Sequence, residues 1–368
     1  MKSFPVNANP KVIQYYMEAY NISLEELAKK INAKNSSIDG IVKGTIKLRY
    51  VQLQKMAKMV EKDPLIFMLD KPPEDKPLSN VFRKLINSEH LTYKIMVKIN
   101  RIKELQEVAN ELYNNIEKSI EPIIDEYSIK RDPAEVAAIE RKKFYSYDEQ
   151  KSWKKPYESF NKWRSALENK NMLVMQIPVD TEYFRGFSLI DSKPFIIVVN
   201  SKDDINARSF TLFHEYAHLL LRNIETGELN NEIEKWCNEF ASNFLLSSDV
   251  LDYYTNKIND IDKLVKTISS KYKVSYSMIY YRLYSIRRIN KDTYNAYISE
   301  CSNSSKIVKG SKARVGGPPQ EVLKKSAYGI PFLRAVIENY EKGNITIEQA
   351  LNYLSTTYNT FKKLEESV

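Results

Sequence analysis

Two histidines separated by one helical turn constrain what this chain can fold into more than any other feature. The sequence of 368 residues contains only 3 histidines, and two of them stand in His214-Glu215-Tyr216-Ala217-His218. Residues i and i+4 of an α-helix lie on the same face, one turn apart. The flanking residues are apolar and include no proline, namely Phe210, Leu212, Phe213, Leu220 and Leu221. The pattern predicts a helix that presents two imidazoles side by side.

This arrangement predicts a metal site. Two such imidazoles can bind one tetrahedral zinc ion, and Glu215 between them can hold a metal-bound water. The third ligand is sought in the amphipathic segment 232–246. At about 100° per residue, Glu234 falls within its apolar arc, whereas Glu232 and Glu239 fall outside. A carboxylate on a buried face is costly unless it is paired or binds a metal. We therefore predict Glu234 as the third ligand and Zn²⁺ as the cofactor; a buried salt bridge is the alternative for Glu234.

Length and composition indicate a folded protein of two or three domains, because 368 residues exceed one ordinary core. The N-terminus lacks the apolar run of a secretory signal, and no stretch approaches the roughly 18 apolar residues of a membrane span. Cys237 and Cys301 are far apart in the sequence and are interpreted as reduced thiols. We expect a cytoplasmic protein with no membrane partner. The net charge of +9 favours a polyanionic partner such as nucleic acid.

Helical periodicity and strand-like runs divide the chain into four predicted regions. In chain order they are a small all-α domain, a linker with a helical connector, a core with the histidine pair, and a helical C-terminal region. Their spans are 1–70, 71–170, 171–255 and 256–368. Three prolines between Lys71 and Pro77 mark the linker, because proline cannot continue a helix. The expected fold class is mainly α with a small β-sheet.

Short runs rich in β-branched and aromatic residues precede the histidine pair. They predict three strands, at 173–179, 187–190 and 195–199. The stretch 300–330 is loop-like, with Gly316-Gly317-Pro318-Pro319 as its clearest break.

The core resembles the ImmA/IrrE metallo-endopeptidases. The resemblance rests on residues 207–221 around the histidine pair, and on Glu234-x-x-Cys237-Asn238-x-Phe240-Ala241 that follows. The runs 185–188, 195–200 and 274–283 extend it to about 172–290. Two residues depart from the family pattern: Ala217 stands where glycine is usual, and Ser247 where proline is frequent.

This resemblance implies an α+β zincin-like core. It assigns His214, His218 and Glu234 as zinc ligands and Glu215 as the general base. The implied reaction is attack of zinc-activated water on a peptide carbonyl, with zinc also polarising the carbonyl oxygen.

Residues 10–69 resemble the Cro/repressor-type helix-turn-helix family, also called XRE. Ser23 and Glu26 in this segment show the pattern of a capping box. The matching positions are Leu24, Leu27, Ala28, Ile31, Ile38, Gly44, Leu53, Met56, Ala57 and Asp63-Pro64. The resemblance implies that the helix beginning near Asn35 enters the major groove of DNA.

The predicted DNA contacts lie on and after that helix. Ser36, Ser37 and Asp39 would face bases, while nearby cations would hold phosphates. Gly40 costs roughly 1 kcal/mol of helix stability relative to alanine, and Asp39 repels phosphate. A protein-binding use of the fold therefore stays the alternative. The full set of predicted DNA-binding residues is Lys34, Asn35, Ser36, Ser37, Asp39, Lys43, Lys47 and Arg49.

The segment 274–289 has two interpretations, one of which is a second helix-turn-helix. Its arginines, Arg282, Arg287 and Arg288, would suit a phosphate backbone or equally form a solvated face.

Together these features predict a DNA-binding transcriptional regulator fused to a zinc endopeptidase. Its expected partners are an operator in double-stranded DNA and a protein substrate of the repressor or antitoxin type. A homodimer is a further expectation, because many repressors of this fold dimerise. Two rivals remain: a non-proteolytic regulator whose body senses a ligand, and an antitoxin-like repressor whose body only grips a partner. Glu215 argues against a purely structural zinc, which needs no general base.

Overall fold

The computed structural model describes residues 4–73, 92–180, 184–222, 230–304 and 317–368. The chain divides into two compact units, Met1–Glu104 and Leu105–Val368. Its helices and two small sheets confirm the expected fold class. Most of the predicted linker (74–77) and Gly316 lie outside the described residues. Among the helices of the described ranges, none is long and apolar enough to cross a membrane.

The first unit is built from short capped helices. Ser23 caps α2 through the predicted capping box, since it accepts a hydrogen bond from the Glu26 amide and Glu26 accepts one from the Ser23 amide. A two-residue antiparallel pairing joins β1 to β2. The elements are β1 (Pro5–Val6), α1 (Pro10–Ala19), α2 (Leu24–Ile31), α3 (Asn35–Val42), β2 (Leu48–Arg49), α4 (Tyr50–Met59), a 3-10 turn (Pro64–Met68) and the first half of α5 (Tyr93–Asn115).

Two glycines shape α3 and the turn that follows it. Gly44 adopts φ +78° just after the helix, and a Cβ there would lie 2.3 Å from Pro10 Cγ. Gly40 lies within α3, where a Cβ would lie only 2.7 Å from Ile46 Cδ1. The Ile46 amide donates to the Gly40 carbonyl at 3.0 Å. The helix propensity lost at Gly40 is therefore offset by close packing of the turn.

Three strands form the sheet of the second unit, as the sequence predicts. They are β3 (Leu173–Ile177), β4 (Gly186–Leu189) and β5 (Ile196–Asn200). The strand order is β3-β5-β4, with β3 parallel and β4 antiparallel to the central β5. The central strand is buried along its whole length.

The second unit is otherwise helical, and its core extends beyond the region predicted for it. Trp163, from the segment interpreted as a connector, packs on Phe213 and Phe244 with ring centroids 5.1 and 5.7 Å apart. Residues 133–168 are thus part of the core, because their apolar side chains cover the helices that follow the sheet. The helices are α6 (Pro133–Arg141), α7 (Tyr147–Ser152), α8 (Pro156–Glu168), α9 (Ile205–Leu221), α10 (Asn230–Leu245), α11 (Ser248–Thr255), α12 (Ile261–Tyr272), α13 (Tyr276–Ser285), α14 (Lys291–Ser304), α15 (Gln320–Tyr328), α16 (Ile330–Glu341), α17 (Ile347–Tyr353) and α18 (Tyr358–Glu365).

Helix α15 corrects the prediction of a loop through 300–330. It packs against β3, and Arg164 binds its carboxyl end by donating to the Ser326 carbonyl at 2.8 Å. Gln176 of β3 donates to the same carbonyl at 3.0 Å. These anchors come from distant segments, so local sequence gave no indication of the helix. With α15 on β3, the opposite edge of the sheet is formed by β4.

Candidate metal centre

Helix α9 carries the histidine pair between the sheet and the core. The Asp204 side chain caps its start by accepting from the amides of Asn206 and Ala207. Strand β4 approaches this helix closely at Gly186, where a Cβ would lie 2.6 Å from Thr211 Cγ2 and 2.6 Å from the Val198 carbonyl oxygen. Only glycine permits this approach, which brings β4 next to the histidine-bearing helix.

The three predicted ligands come together. Nε2 of His214 and Nε2 of His218 lie 3.2 Å apart. The two carboxylate oxygens of Glu234 lie 3.3 Å from Nε2 of His214 and 3.4 Å from Nε2 of His218. Zinc–ligand bonds of 2.0–2.1 Å at tetrahedral angles place neighbouring donor atoms about 3.3 Å apart. The two imidazoles and the Glu234 carboxylate, whose ligand atoms all lie within 4.8 Å of one another, are therefore close enough to share one zinc ion.

Solvent reaches the site from the side of Glu234. The side chains of His214 and His218 are 14% and 9% exposed, whereas that of Glu234 is 39% exposed. Glu234 is thus less buried than its place in the apolar arc predicts, because it lies at the rim where α10 faces α9. Glu232 and Glu239 are not part of the group. One accessible side is what a catalytic site needs for water and substrate.

The side chains of the cluster influence one another's ionisation. Burial opposes ionisation of Glu234, but hydrogen bonds with His214 and His218 outweigh it and lower its pKa strongly. Burial also opposes protonation of His214, yet hydrogen bonding to Glu234 and the charge of Glu215 raise its pKa. The buried Cys237 lies nearby, and desolvation together with the charge of Glu234 raises the pKa of its thiol.

Glu215 is buried on the side of β4. Desolvation raises the pKa of its carboxyl group, although the charges of His218 and His214 and a hydrogen bond from Ser188 act in the opposite direction. Sequence reasoning missed both Ser188, which favours the ionised form of Glu215, and Asn238, which raises the pKa of His214. Ser188 lies two residues after Gly186 and so shares its face of β4, a signal that period-two alternation could have provided.

A histidine pair on one helix, a glutamate from the next and an adjacent three-stranded sheet define the class of zincin-like metallopeptidase sites. Residues 167–284 match the family model of the IrrE N-terminal-like domain, Peptidase_M78. The match covers the three strands, α9 and α10, and it supports a metallopeptidase-like function. No curated protein matches the chain.

The predicted DNA contacts lie on the surface of the first unit. Ser37 is half-buried, and the side chain of Asn35 is outside the described part of the structure. Asp39 pairs with Lys43 at 2.7 Å, which reduces the repulsion that a lone aspartate would exert on phosphate. The remaining predicted residues are exposed: Lys34, Ser36, Asp39, Lys43, Lys47 and Arg49.

The segment 274–289 does not present a free recognition helix. Arg282 is 4% exposed and donates to the Ser248 hydroxyl at 3.1 Å, so it is not available to a phosphate. Helix α14 covers α13 through a stacked pair, Tyr280 and Tyr297, with ring centroids 3.9 Å apart. The solvated-face alternative is also wrong for Arg282, although Arg287 and Arg288 are exposed.

Proposed function

We propose that this protein is a zinc-dependent endopeptidase that hydrolyses a specific partner protein of the repressor or antitoxin type. The observation that carries the proposal is the cluster of His214, His218 and Glu234, whose two Nε2 atoms lie 3.2 Å apart and each lie 3.3–3.4 Å from one oxygen of the same carboxylate. A purely structural zinc would have a closed fourth position, whereas this group has an accessible side.

Glu215 is the proposed general base. Bound zinc would supply Lewis acidity, which polarises a peptide carbonyl and acidifies a water molecule. The Glu215 carboxylate accepts a proton from the attacking water and later delivers it to the leaving amine nitrogen. Its raised pKa suits both steps, since a base poised nearer neutrality can also act as the acid.

Strand β4 offers a binding surface for an extended peptide. The Asn200 amide donates to the Arg185 carbonyl, so this pair of opposed residues is hydrogen-bonded. Opposed residues in antiparallel strands alternate, so the backbone groups of Gly186 and Ser188 point away from β5, towards the open edge. An edge strand accepts a further strand by backbone pairing. A substrate paired there would lie beside Glu215.

Metal analysis of the purified protein tests the metal site. We expect about one zinc per chain in the wild type and its loss in both His214→Ala and Glu234→Ala. Glu232→Ala, which removes an exposed carboxylate from the same helix, is the matched control and should retain zinc. A wild type that cannot be loaded with zinc refutes the peptidase proposal.

Glu215→Gln then serves as a trap for the substrate. The variant keeps all three ligands but loses the base, so it should hold the partner protein without cutting it. Cleavage of the trapped protein by the wild type supports the peptidase. Capture with no cleavage by the zinc-loaded wild type favours the antitoxin-like alternative.

We also propose that the first unit binds an operator in double-stranded DNA. The supporting observation is that α3 has a buried face and an exposed face. Ile38 and Ile41 are buried, whereas Ser36 on the helix and Lys43 just after it are exposed. Fluorescence anisotropy with duplex DNA at several salt concentrations tests it. Lys47→Ala should reduce the salt slope by about 0.9, whereas Lys58→Ala on α4 should leave it unchanged. Absence of duplex binding at low salt, or equal effects of the two variants, refutes this proposal.

A further inference from the structure

Helix α6 contacts both helices that carry the metal ligands. It packs along α10, and Nη1 of Arg141 donates to the Phe244 carbonyl near the end of that helix at 2.9 Å. The neighbouring Glu140 reaches α9 instead, where its carboxylate accepts a hydrogen bond from the Tyr216 hydroxyl at 2.7 Å. Two consecutive residues of α6 therefore bind the two ligand-bearing helices.

Tyr216 lies between the two histidines in sequence but faces the other way. At about 100° per residue it points roughly 160° away from both His214 and His218. Its hydroxyl is thus an anchor on the back of α9. An anchor there opposes both rotation of the helix and sliding along its axis, and either motion would move the imidazoles away from Glu234.

Glu140 is an unusual residue for such a buried position. Its side chain is 0% exposed, and a buried carboxylate is costly unless charge and hydrogen bonds compensate it. Lys143 supplies the charge, while Tyr127 donates a second hydroxyl hydrogen bond at 2.8 Å. An apolar side chain could fill this space but could not specify where the Tyr216 hydroxyl lies.

We propose that Glu140, acting through Tyr216, is a positioning residue for the metal site, with α6 fixing α9 against α10. The inference rests on the proposed zinc site and adds to it a segment outside residues 167–284. Metal sites tolerate displacements of only about 0.2 Å in ligand distance, so loss of the anchor should weaken zinc binding before it unfolds the protein.

The chain offers a matched pair of variants. Tyr216→Phe and Tyr127→Phe each remove one hydroxyl that donates to the same carboxylate, but only the first belongs to α9. We would measure the zinc dissociation constant by competition with a chromogenic chelator, and the thermal midpoint of each metal-free protein. Both variants should lower the thermal midpoint of the metal-free protein by similar amounts. Tyr216→Phe should also weaken zinc binding about tenfold, whereas Tyr127→Phe should change zinc binding little.

Coupling provides the second test. In a Glu140→Gln background, Tyr216→Phe should have a smaller effect on zinc binding than in the wild type, because the two residues act as one unit. Equal effects of Tyr216→Phe and Tyr127→Phe on zinc binding overturn the inference and leave the peptidase proposal intact. A wild type without zinc affinity overturns both.

Discussion

Nε2 of His214 and Nε2 of His218 lie 3.2 Å apart, and both face the same carboxylate. Two protonated imidazoles at that distance would repel each other. His214, His218 and Glu234 would hold a divalent ion with both rings in their neutral form, which would remove this repulsion. The site should therefore be more stable with a metal than without one.

Chelation should destabilise the second unit. A ligand present at 1,000 times its dissociation constant stabilises the folded state by about 4 kcal/mol. We expect the thermal midpoint to fall by several degrees when zinc is removed, and to recover when zinc is restored. Scanning calorimetry with and without chelator measures this shift. If the chelator lowered the thermal midpoint of His214→Ala by the same amount, His214 would not be a zinc ligand.

Glu215→Gln should separate stability from activity. The carboxylate is buried and its pKa is raised by desolvation, so the neutral amide should leave the free energy of unfolding unchanged or higher. Peptide hydrolysis should fall by about 10²–10⁴-fold. Chemical denaturation and a cleavage assay on the trapped substrate test the two halves. Retained activity would remove Glu215 from the mechanism.

Gly186→Ala should disturb the site from the side of the sheet. The added Cβ would lie 2.6 Å from both Thr211 Cγ2 and the Val198 carbonyl oxygen, and backbone cannot move aside easily. We expect a loss of about 1–3 kcal/mol in the free energy of unfolding. Gly317→Ala is the control, because a Cβ there has nothing within 4 Å. Equal unfolding curves for the two variants would show that β4 does not press on α9.

Asp125 should contribute to stability in a pH-dependent manner. A hydrogen bond from Lys143 lowers the pKa of Asp125 below its ordinary value of 3.8. A lowered pKa in the folded state gives stability that is present above pH 3.8 and lost as the pH falls through the folded-state pKa. Because Asp125 is exposed, Asp125→Asn should cost no more than about 1 kcal/mol at pH 7. The difference from wild type should vanish in acid; a difference that persists there would have another cause.

The local parts of this structure could be predicted from the sequence. The spacing of His214 and His218 follows from helix geometry, and the capping pattern of Ser23 and Glu26 involves groups three residues apart. The strands followed from runs of β-branched residues. Glu234 was chosen by its position on the helix, although the argument from burial overstated how deeply it lies.

The features that the sequence did not predict depend on contacts between distant segments. Glu140 and Tyr216 are separated by 76 positions, and Arg164 and Ser326 by 162. The sequence of α6 gives no local sign of which partner its charged residues will meet. Alternation along β4 places Ser188 on the same face as Gly186, but its place beside Glu215 also requires knowing that β4 lies against α9.

The contacts of α6 with α10 and α9 bear on how such a domain can be exchanged between proteins. The family match begins at residue 167, after α6 and most of α8. Recombination at that boundary would deliver both ligand-bearing helices without Glu140, Arg141 or Trp163. If Glu140 positions the site as proposed, a working module must include the helices that precede the matched residues.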